Sequence, residues 1–202
     1  MLKRIVPKVV DPEARRREVA EAVFRVVRRH GLEQASLRNV ADEAGLAIGS
    51  VRHYFADHDD LLRFALEELT DRLERRVLAR AAQARSAPTR EGRRQAVADL
   101  LGELLPLDPD RRDESEIWLA FVTAARTRPA LRPEARRLHQ GMRTLIGKVL
   151  TEGGVSDAAL ETERLASLLD GLAVNGVLQP DLTTPDVMRA VLRRHLESLT
   201  TG

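Results

Sequence analysis

Residues 36–62 read SLRNVADEAGLAIGSVRHYFADHDDLL, and the fold of the whole chain turns on how they are read. Ser36 is a helix cap. Behind it Leu37, Val40, Ala41 and Ala44 recur at intervals of three and four, so a short helix runs to a stop at Gly45. Ile48, Val51 and Phe55 repeat that spacing and mark a second short helix, Ile48 to Phe55, with one buried face. At about 100° per residue its outer side carries Gly49, Ser50 and His53, with Arg52 and Tyr54 on the shoulders. Two short helices joined by a glycine-containing turn, here AGLA, form the helix-turn-helix pattern, whose second helix enters the DNA major groove. Small residues let that backbone approach base edges, Ser50 and His53 can hydrogen-bond them, and Arg52 and Tyr54 can reach the phosphates on either side. Phe55 anchors the helix from within. Tyr54, the only tyrosine of a chain that is 3% aromatic, sits at the border, where its ring can pack and its hydroxyl stay wet.

Helices extend outward on both sides. Asp11-Pro12 is a cap followed by proline at the first helical position, and Val19, Val23, Val26 and Val27 then recur until Gly31 ends the helix. Downstream, Asp57 and Asp60 resemble an acidic capping box opening a long helix from Asp59 to Arg85. Further helices are read at 90–105, 114–127, 133–152, 157–178 and 185–198, separated by stretches rich in Pro, Gly and Asp. IVPKVV, residues 5–10, reads as an extended arm because Pro7 interrupts it. The expected architecture is all-α with nine helices: a three-helix unit, residues 1–58 including the basic arm, and a larger helical unit, residues 59–202.

Composition sets limits on function. With 202 residues, 43% hydrophobic and 32% charged, the chain reads as a soluble globular protein with an aliphatic core. The absence of cysteine excludes disulfides and thiolate metal sites and fits a reducing compartment. The leading segment is too short and broken for a signal peptide, and no run approaches the roughly eighteen apolar residues of a membrane span, so a cytoplasmic location without membrane association is expected. Residues 1–30 hold nine Lys or Arg, among them Lys3, Arg4 and Lys8, against four acids. That excess suits a polyanion partner, and it equally suits a solvated helix face with pairs such as Glu13 to Arg17 and Glu21 to Arg25. His53, Asp57, His58, Asp59 and Asp60 lack the i,i+4 histidine pair of helical zinc sites, so no metal is expected there. The five histidines are scattered, and no G-x-S-x-G or phosphate loop occurs. No enzymatic activity and no cofactor are expected.

SLRNVADEAGLAIGSVRHYFADHDDLL resembles the DNA-binding signature of the TetR family of transcriptional regulators in Ala41, Ala44-Gly45, Gly49, Tyr54-Phe55 and the acidic helix start. VVDPEARRREVAEAVFRVV and EIWLAFVTAAR are similar to the subgroup of betaine regulators that respond to choline. The resemblance implies a homodimer that represses a promoter on operator DNA and lets go when a small-molecule effector enters the C-terminal unit. It places Arg38, Gly49, Ser50, Arg52, His53, Tyr54 and His58 at the DNA. Arg52 stands where the family commonly has tyrosine, His58 where lysine is usual, and Ala47 where a serine usually caps the recognition helix. The competing reading is a helical protein-interaction module without sequence-specific DNA binding.

Two tasks fall to the C-terminal unit. Leu165, Leu168, Leu169, Leu172 and Gly176 form one apolar stripe, and Met188, Val191, Leu192, His195 and Leu199 another. In the family the two last helices meet their copies in a four-helix dimer interface, with Gly171 and Gly176 permitting close approach; the same stripes would also serve as the core of one chain, and both can hold at once because each helix can bury two faces. For the effector, the candidates are polar, sulfur-bearing or aromatic residues on otherwise apolar helices: Trp118, Phe121, His139, Met142, Asp170 and Asn175, of which no more than half are expected to touch a ligand. Arg126, Arg136 and Arg137 are read as solvated. A quaternary ammonium is held by an aromatic cage, and only Phe64, Trp118 and Phe121 lie outside the first unit's other aromatics. A choline-like effector is therefore not carried over, an apolar or mixed-polarity one stands on at least equal terms, and the effector's identity is left open.

Overall fold

A computed structural model describes residues 11–86 and 88–199. The arm of residues 1–8, with Lys3, Arg4 and Lys8, lies outside them. The described residues form nine α-helices and no strand: α1 Pro12–His30, α2 Leu37–Ala44, α3 Ile48–Tyr54, α4 His58–Arg85, α5 Arg90–Gly102, α6 Pro109–Ala124, α7 Arg132–Glu152, α8 Ala158–Leu178 and α9 Pro185–Ser198. The all-α expectation is met.

The helix ends follow from side-chain chemistry. The Asp11 carboxylate accepts the Glu13 N–H at 3.0 Å, Ser36 Oγ accepts that of Asn39 at 3.2 Å, and Thr184 Oγ1 accepts that of Val187 at 3.3 Å. Asp57 Oδ1 accepts the Asp60 N–H at 2.8 Å, while Asp60 Oδ2 accepts the Ala56 N–H at 3.1 Å. The acidic capping box is thus formed, reaching one residue further back than the standard pattern. α6 starts at Pro109, five residues before the expected start at Glu114. The signal was a third cap-then-proline pair, Asp108-Pro109, whose carboxylate accepts the Arg111 N–H at 2.9 Å. α5 stops at Gly102, short of Leu105, and the chain then turns through Leu104 and Leu105.

The chain divides into two compact units, the first ending at Glu68 and the second beginning at Leu69. The division falls within α4, ten residues beyond the boundary expected from sequence. In the first unit, α1 buries Val19, Ala22, Val23, Phe24, Val26 and Val27 and packs on α2 and α3, which bury Val40, Ala41 and Val51; Phe55 and Leu61, Leu62 and Leu66 of α4 are buried in the same unit. In the second, Leu101, Leu105, Ile146, Leu150, Leu165, Leu169, Met188 and Leu192 form one core drawn from α5, α7, α8 and α9.

That core takes up part of the α8 and α9 stripes. Leu165, Leu169, Leu172, Gly176, Met188 and Leu192 are buried within one chain, while Leu168, Val191, His195 and Leu199 are partly covered. A Cβ on Gly176 would stand 2.7 Å from Pro106 Cγ and 3.1 Å from Met188 Sδ, so this glycine permits close approach inside the chain. Gly171 is exposed, and a Cβ there would meet no described atom within 4 Å. The exposed large apolar residues of this region, among the described residues, are Leu160, Leu178, Leu182 and Val187. Helical periodicity identifies the apolar faces of a helix that has two, and it does not say which of them turns inward. His195 Nε2 is buried without a hydrogen-bond partner among the described residues. Burial, then nearby Arg164, holds the His195 pKa below its ordinary value against the opposing pull of Glu161.

Candidate DNA-binding surface and effector cavity

The turn between α2 and α3 is built by Gly45. Its φ of 66° lies in the left-handed region, and the N–H groups of Gly45 and Leu46 return to Asp42 and Ala41 carbonyls at 3.2 and 2.9 Å. This double closure is a Schellman stop, which only a residue tolerant of positive φ makes without strain. α2 is further held to α1 by Glu43, whose carboxylate accepts from Arg25 Nε at 2.5 Å and Arg29 Nη1 at 3.1 Å. The Arg25 hydrogen bond is the main reason the Glu43 carboxyl stays below its usual pKa. α3 opens at Ala47 with no side-chain cap, at a cost on the order of 1 kcal/mol of helix stability.

α3 presents the expected outer face. Gly49, Arg52 and His53 are exposed, Ser50 and Tyr54 are half-buried, and Arg38 is exposed on α2. Neither Arg38 nor Arg52 makes an ion pair among the described residues. The rings of His53 and Tyr54 meet edge to face with centroids 5.1 Å apart. A Cβ on Gly49 would meet no described atom within 4 Å, so the protein's own packing gives no reason for glycine in this helix. Two details differ from expectation. Ile48 is 37% exposed, because the first residue of a seven-residue helix stands at the rim of the buried face. The His58 ring is turned inward, with Nε2 donating to the Ala35 carbonyl at 3.0 Å, which leaves the other ring nitrogen for any outside partner.

In the second unit a cavity of 70 Å³ is lined by Leu69, Leu73 and Arg76 of α4, Glu103 and Leu104 after α5, Arg111, Glu114, Ser115 and Trp118 of α6, Leu138, His139 and Met142 of α7, and Leu169, Asp170 and Ala173 of α8. Four of the six candidate ligand residues, Trp118, His139, Met142 and Asp170, come together there. Phe121, on the same helix as Trp118, does not, being fully buried, and Asn175 does not, lying on the exposed side of α8.

The polar part of the lining has two characters. Glu103, 7% exposed, accepts from Arg76 Nε at 3.2 Å and Arg80 Nε at 2.9 Å, with Arg111 Nη1 at 3.7 Å. Arg76 also pairs with Glu114 at 2.6 Å. These charges were missed in the sequence, although a lone acid inside LLGELLPL, residues 100–107, was a signal of a buried ion pair. Asp170, in contrast, has no hydrogen-bond or ion-pair partner among the described residues. Burial pushes its carboxyl pKa up, with His139 and Arg143 pulling it back. Arg137 was read as solvated, yet its Nη2 bridges Asp71 and Glu74, each at 2.8 Å.

A helix-turn-helix unit followed by a helical unit with an interior cavity is the plan of a one-component transcriptional regulator. Residues 19–64 match the family model described as bacterial regulatory proteins of the tetR family, and residues 93–201 match that of the BetI-type transcriptional repressor, C-terminal. The chain is 35% identical to the HTH-type transcriptional regulator PksA of Bacillus subtilis (strain 168), over 96% of this chain and 94% of that protein. A transcriptional regulator from Rhodococcus sp. Rha1 has a crystal structure matching at TM-score 0.80 and 32% identity, over 94% of this chain and 96% of that one. The multidrug binding protein EbrR complexed with malachite green matches at TM-score 0.67 and 32% identity, over 90% and 97% of the two chains. The chain belongs to the TetR family of transcriptional regulators: it is a repressor-type protein with an N-terminal DNA-binding unit and a C-terminal ligand-binding unit of BetI type. Among the described residues, no helix is long and apolar enough to cross a membrane.

Proposed function

We propose that the protein is a homodimeric repressor that reads a near-palindromic operator through α3 and is released by an effector joining an apolar body to a cationic or strongly hydrogen-bond-donating group. The observation that carries the DNA reading is the outer face of α3, where among the described residues a Cβ on Gly49 would meet nothing within 4 Å and Arg52 makes no ion pair, with His53 exposed beside them. His53 and Ser50 contact base edges, Gly49 admits the backbone, and Arg38, Arg52, Tyr54 and His58 hold phosphates. Two copies set their recognition helices in major grooves about 34 to 36 Å apart or at another spacing fixed by the dimer. The partner surface uses the exposed side of α8 and α9, with Gly171, Leu178, Leu182 and Val187, in place of the residues committed to the core.

For the effector, the supporting observation is Asp170, a half-buried carboxylate that has no hydrogen-bond or ion-pair partner among the described residues and shares a cavity with Trp118, Met142, Leu69 and Leu73. The related EbrR is complexed with malachite green, an organic cation, which supports the same polarity here. The cavity of 70 Å³ is well below the roughly 300–1,000 Å³ of drug-sized sites, so an effector must widen it. Leu69, Leu73 and Arg76 belong to α4, the helix that begins beside α3, so widening acts on an element the DNA-binding unit shares.

The test is selection of bound duplexes from a random pool at two salt concentrations, followed by His53→Ala and Arg52→Ala. An inverted repeat is expected, with His53→Ala relaxing sequence preference and Arg52→Ala weakening all duplexes alike. Recovery of no specific sequence, or the same change of specificity in both variants, would overturn these roles.

A further inference from the structure

The cavity beside Asp170 is not the larger concavity of the second unit. A groove of 540 Å³ lies between the start of α5, the end of α7 and the end of α9, within the size range of small-molecule sites, about 300–1,000 Å³. None of its lining residues belongs to the cavity at Trp118. Its floor is apolar: Val97, Leu150, Val155 and Leu196 form the outer skin of the core, with Leu150 buried and the others partly covered. Its rim is cationic, with Arg90, Arg93 and Arg94 from the first turns of α5 and Arg193 from α9.

Three of those arginines are not accounted for by pairing within the described residues. Arg90, Arg93 and Arg193 are exposed and make no ion pair or hydrogen bond among the described residues. Three cations in the opening turns of α5 also oppose the positive end of the helix dipole, so helix stability does not explain them. Three acids share the lining, Glu91, Glu152 and Glu197. Glu152 faces Lys148 and Glu197 faces Arg194, each at 4.0 Å on its own helix. Only Glu91 offsets the three unpaired guanidinium groups.

We propose that this groove is a second ligand site, separate from the effector cavity, for an anionic amphiphile: a single hydrocarbon chain ending in a carboxylate or phosphate. The chain lies along Val97, Leu150, Val155 and Leu196, and Arg93 and Arg193 clasp the headgroup from two helices, the fork geometry of guanidinium matching both anions. An apolar floor under a rim that carries Arg93 and Arg193 selects against neutral and cationic chains of equal length.

The experiment is calorimetric titration of the full chain with laurate, dodecyl phosphate and dodecyltrimethylammonium, each below its micellar concentration. Both anions bind and the cation does not. The doubly substituted Arg93→Gln, Arg193→Gln protein loses at least about tenfold in affinity for both, Arg93→Glu, Arg193→Glu loses more, and Asp170→Asn leaves both unchanged. Unliganded thermal unfolding of the glutamine variant matches the parent. Laurate binding preferred over dodecyl phosphate identifies a carboxylate headgroup, and the reverse a phosphate; either supports the site. Equal binding of the cation, retention of affinity in both arginine variants, or loss of it in Asp170→Asn overturns the proposal. Dissociation of the unliganded dimer by the arginine substitutions, read by sedimentation, assigns the groove to a second copy of the chain and overturns it as well.

Discussion

The guanidinium of Arg16 lies 4.2 Å from the centroid of the Phe64 ring. It also lies 5.2 Å from that of Phe55, and the two rings themselves meet at 5.5 Å. One cation on α1 thereby touches the residue that ends α3 and the early part of α4. Its Nε is buried without a hydrogen-bond partner among the described residues, so the aromatic faces are what it has in exchange for water. Arg16→Ala is expected to destabilise the protein by about 1–2 kcal/mol in urea unfolding. Arg16→Met restores the apolar stem alone and should recover only part. A methionine variant as stable as the parent would show that stem packing, not the cation over the rings, is the contribution.

Gly49 and Gly45 make a contrasting pair. Gly49 is helical with open space where a Cβ would stand, whereas Gly45 has a φ of +66°. Gly49→Ala should leave the fold unharmed or stabilise it by up to about 1 kcal/mol while weakening operator binding, because the added methyl meets the DNA. Gly45→Ala should destabilise by about 1 kcal/mol or more. Thermal unfolding and operator titration of both variants check this; unimpaired operator affinity in Gly49→Ala would remove this face of α3 from the interface.

Asp170 gives a pH dependence with a definite sign. Burial raises its folded pKa above that of the unfolded chain, so between the two values the folded state binds more protons and stability falls as pH rises. The penalty is absent below the ordinary carboxylate range and complete above the raised folded value. Asp170→Asn should therefore be more stable than the parent near pH 7, with the gap closing as pH falls through that range, and should lose release by cationic effectors. Unfolding curves at several pH values read the first effect. A gap that widens on acidification would contradict the burial of an unpaired carboxylate.

Gly176 and Gly171 separate the core of one chain from its partner surface. A methyl at Gly176 would stand 2.7 Å from Pro106 Cγ and 3.1 Å from Met188 Sδ, so Gly176→Ala is expected to cost about 1–3 kcal/mol through overpacking. At Gly171 a Cβ would meet no described atom within 4 Å, so Gly171→Glu should leave the fold of each unit intact while shifting dimer to monomer in sedimentation. If Gly171→Glu remained dimeric at low concentration, the dimer surface would have to lie elsewhere than the exposed face of α8.

Much was legible from residues alone because it is local. Ser36, Gly45, Asp57 with Asp60, and the caps before Pro12 and Pro185 act within three or four residues of themselves, and the three-and-four spacing of Ile48, Val51 and Phe55 shows which side of α3 is free. Asp108-Pro109 carried the same signal and was passed over, which is why α6 was expected to start late. Burial across elements was not legible in this way. Periodicity marks Leu165, Leu169 and Met188 as apolar without saying whether they meet their own chain or another, and the outcome depended on how closely α9 and Pro106 approach Gly176. Nor does spacing reveal that Glu103 gathers Arg76, Arg80 and Arg111 while Asp170 has no partner among the described residues. An ion pair between distant helices is decided by packing, because desolvation makes a buried charge costly and only the folded arrangement determines which charges are compensated.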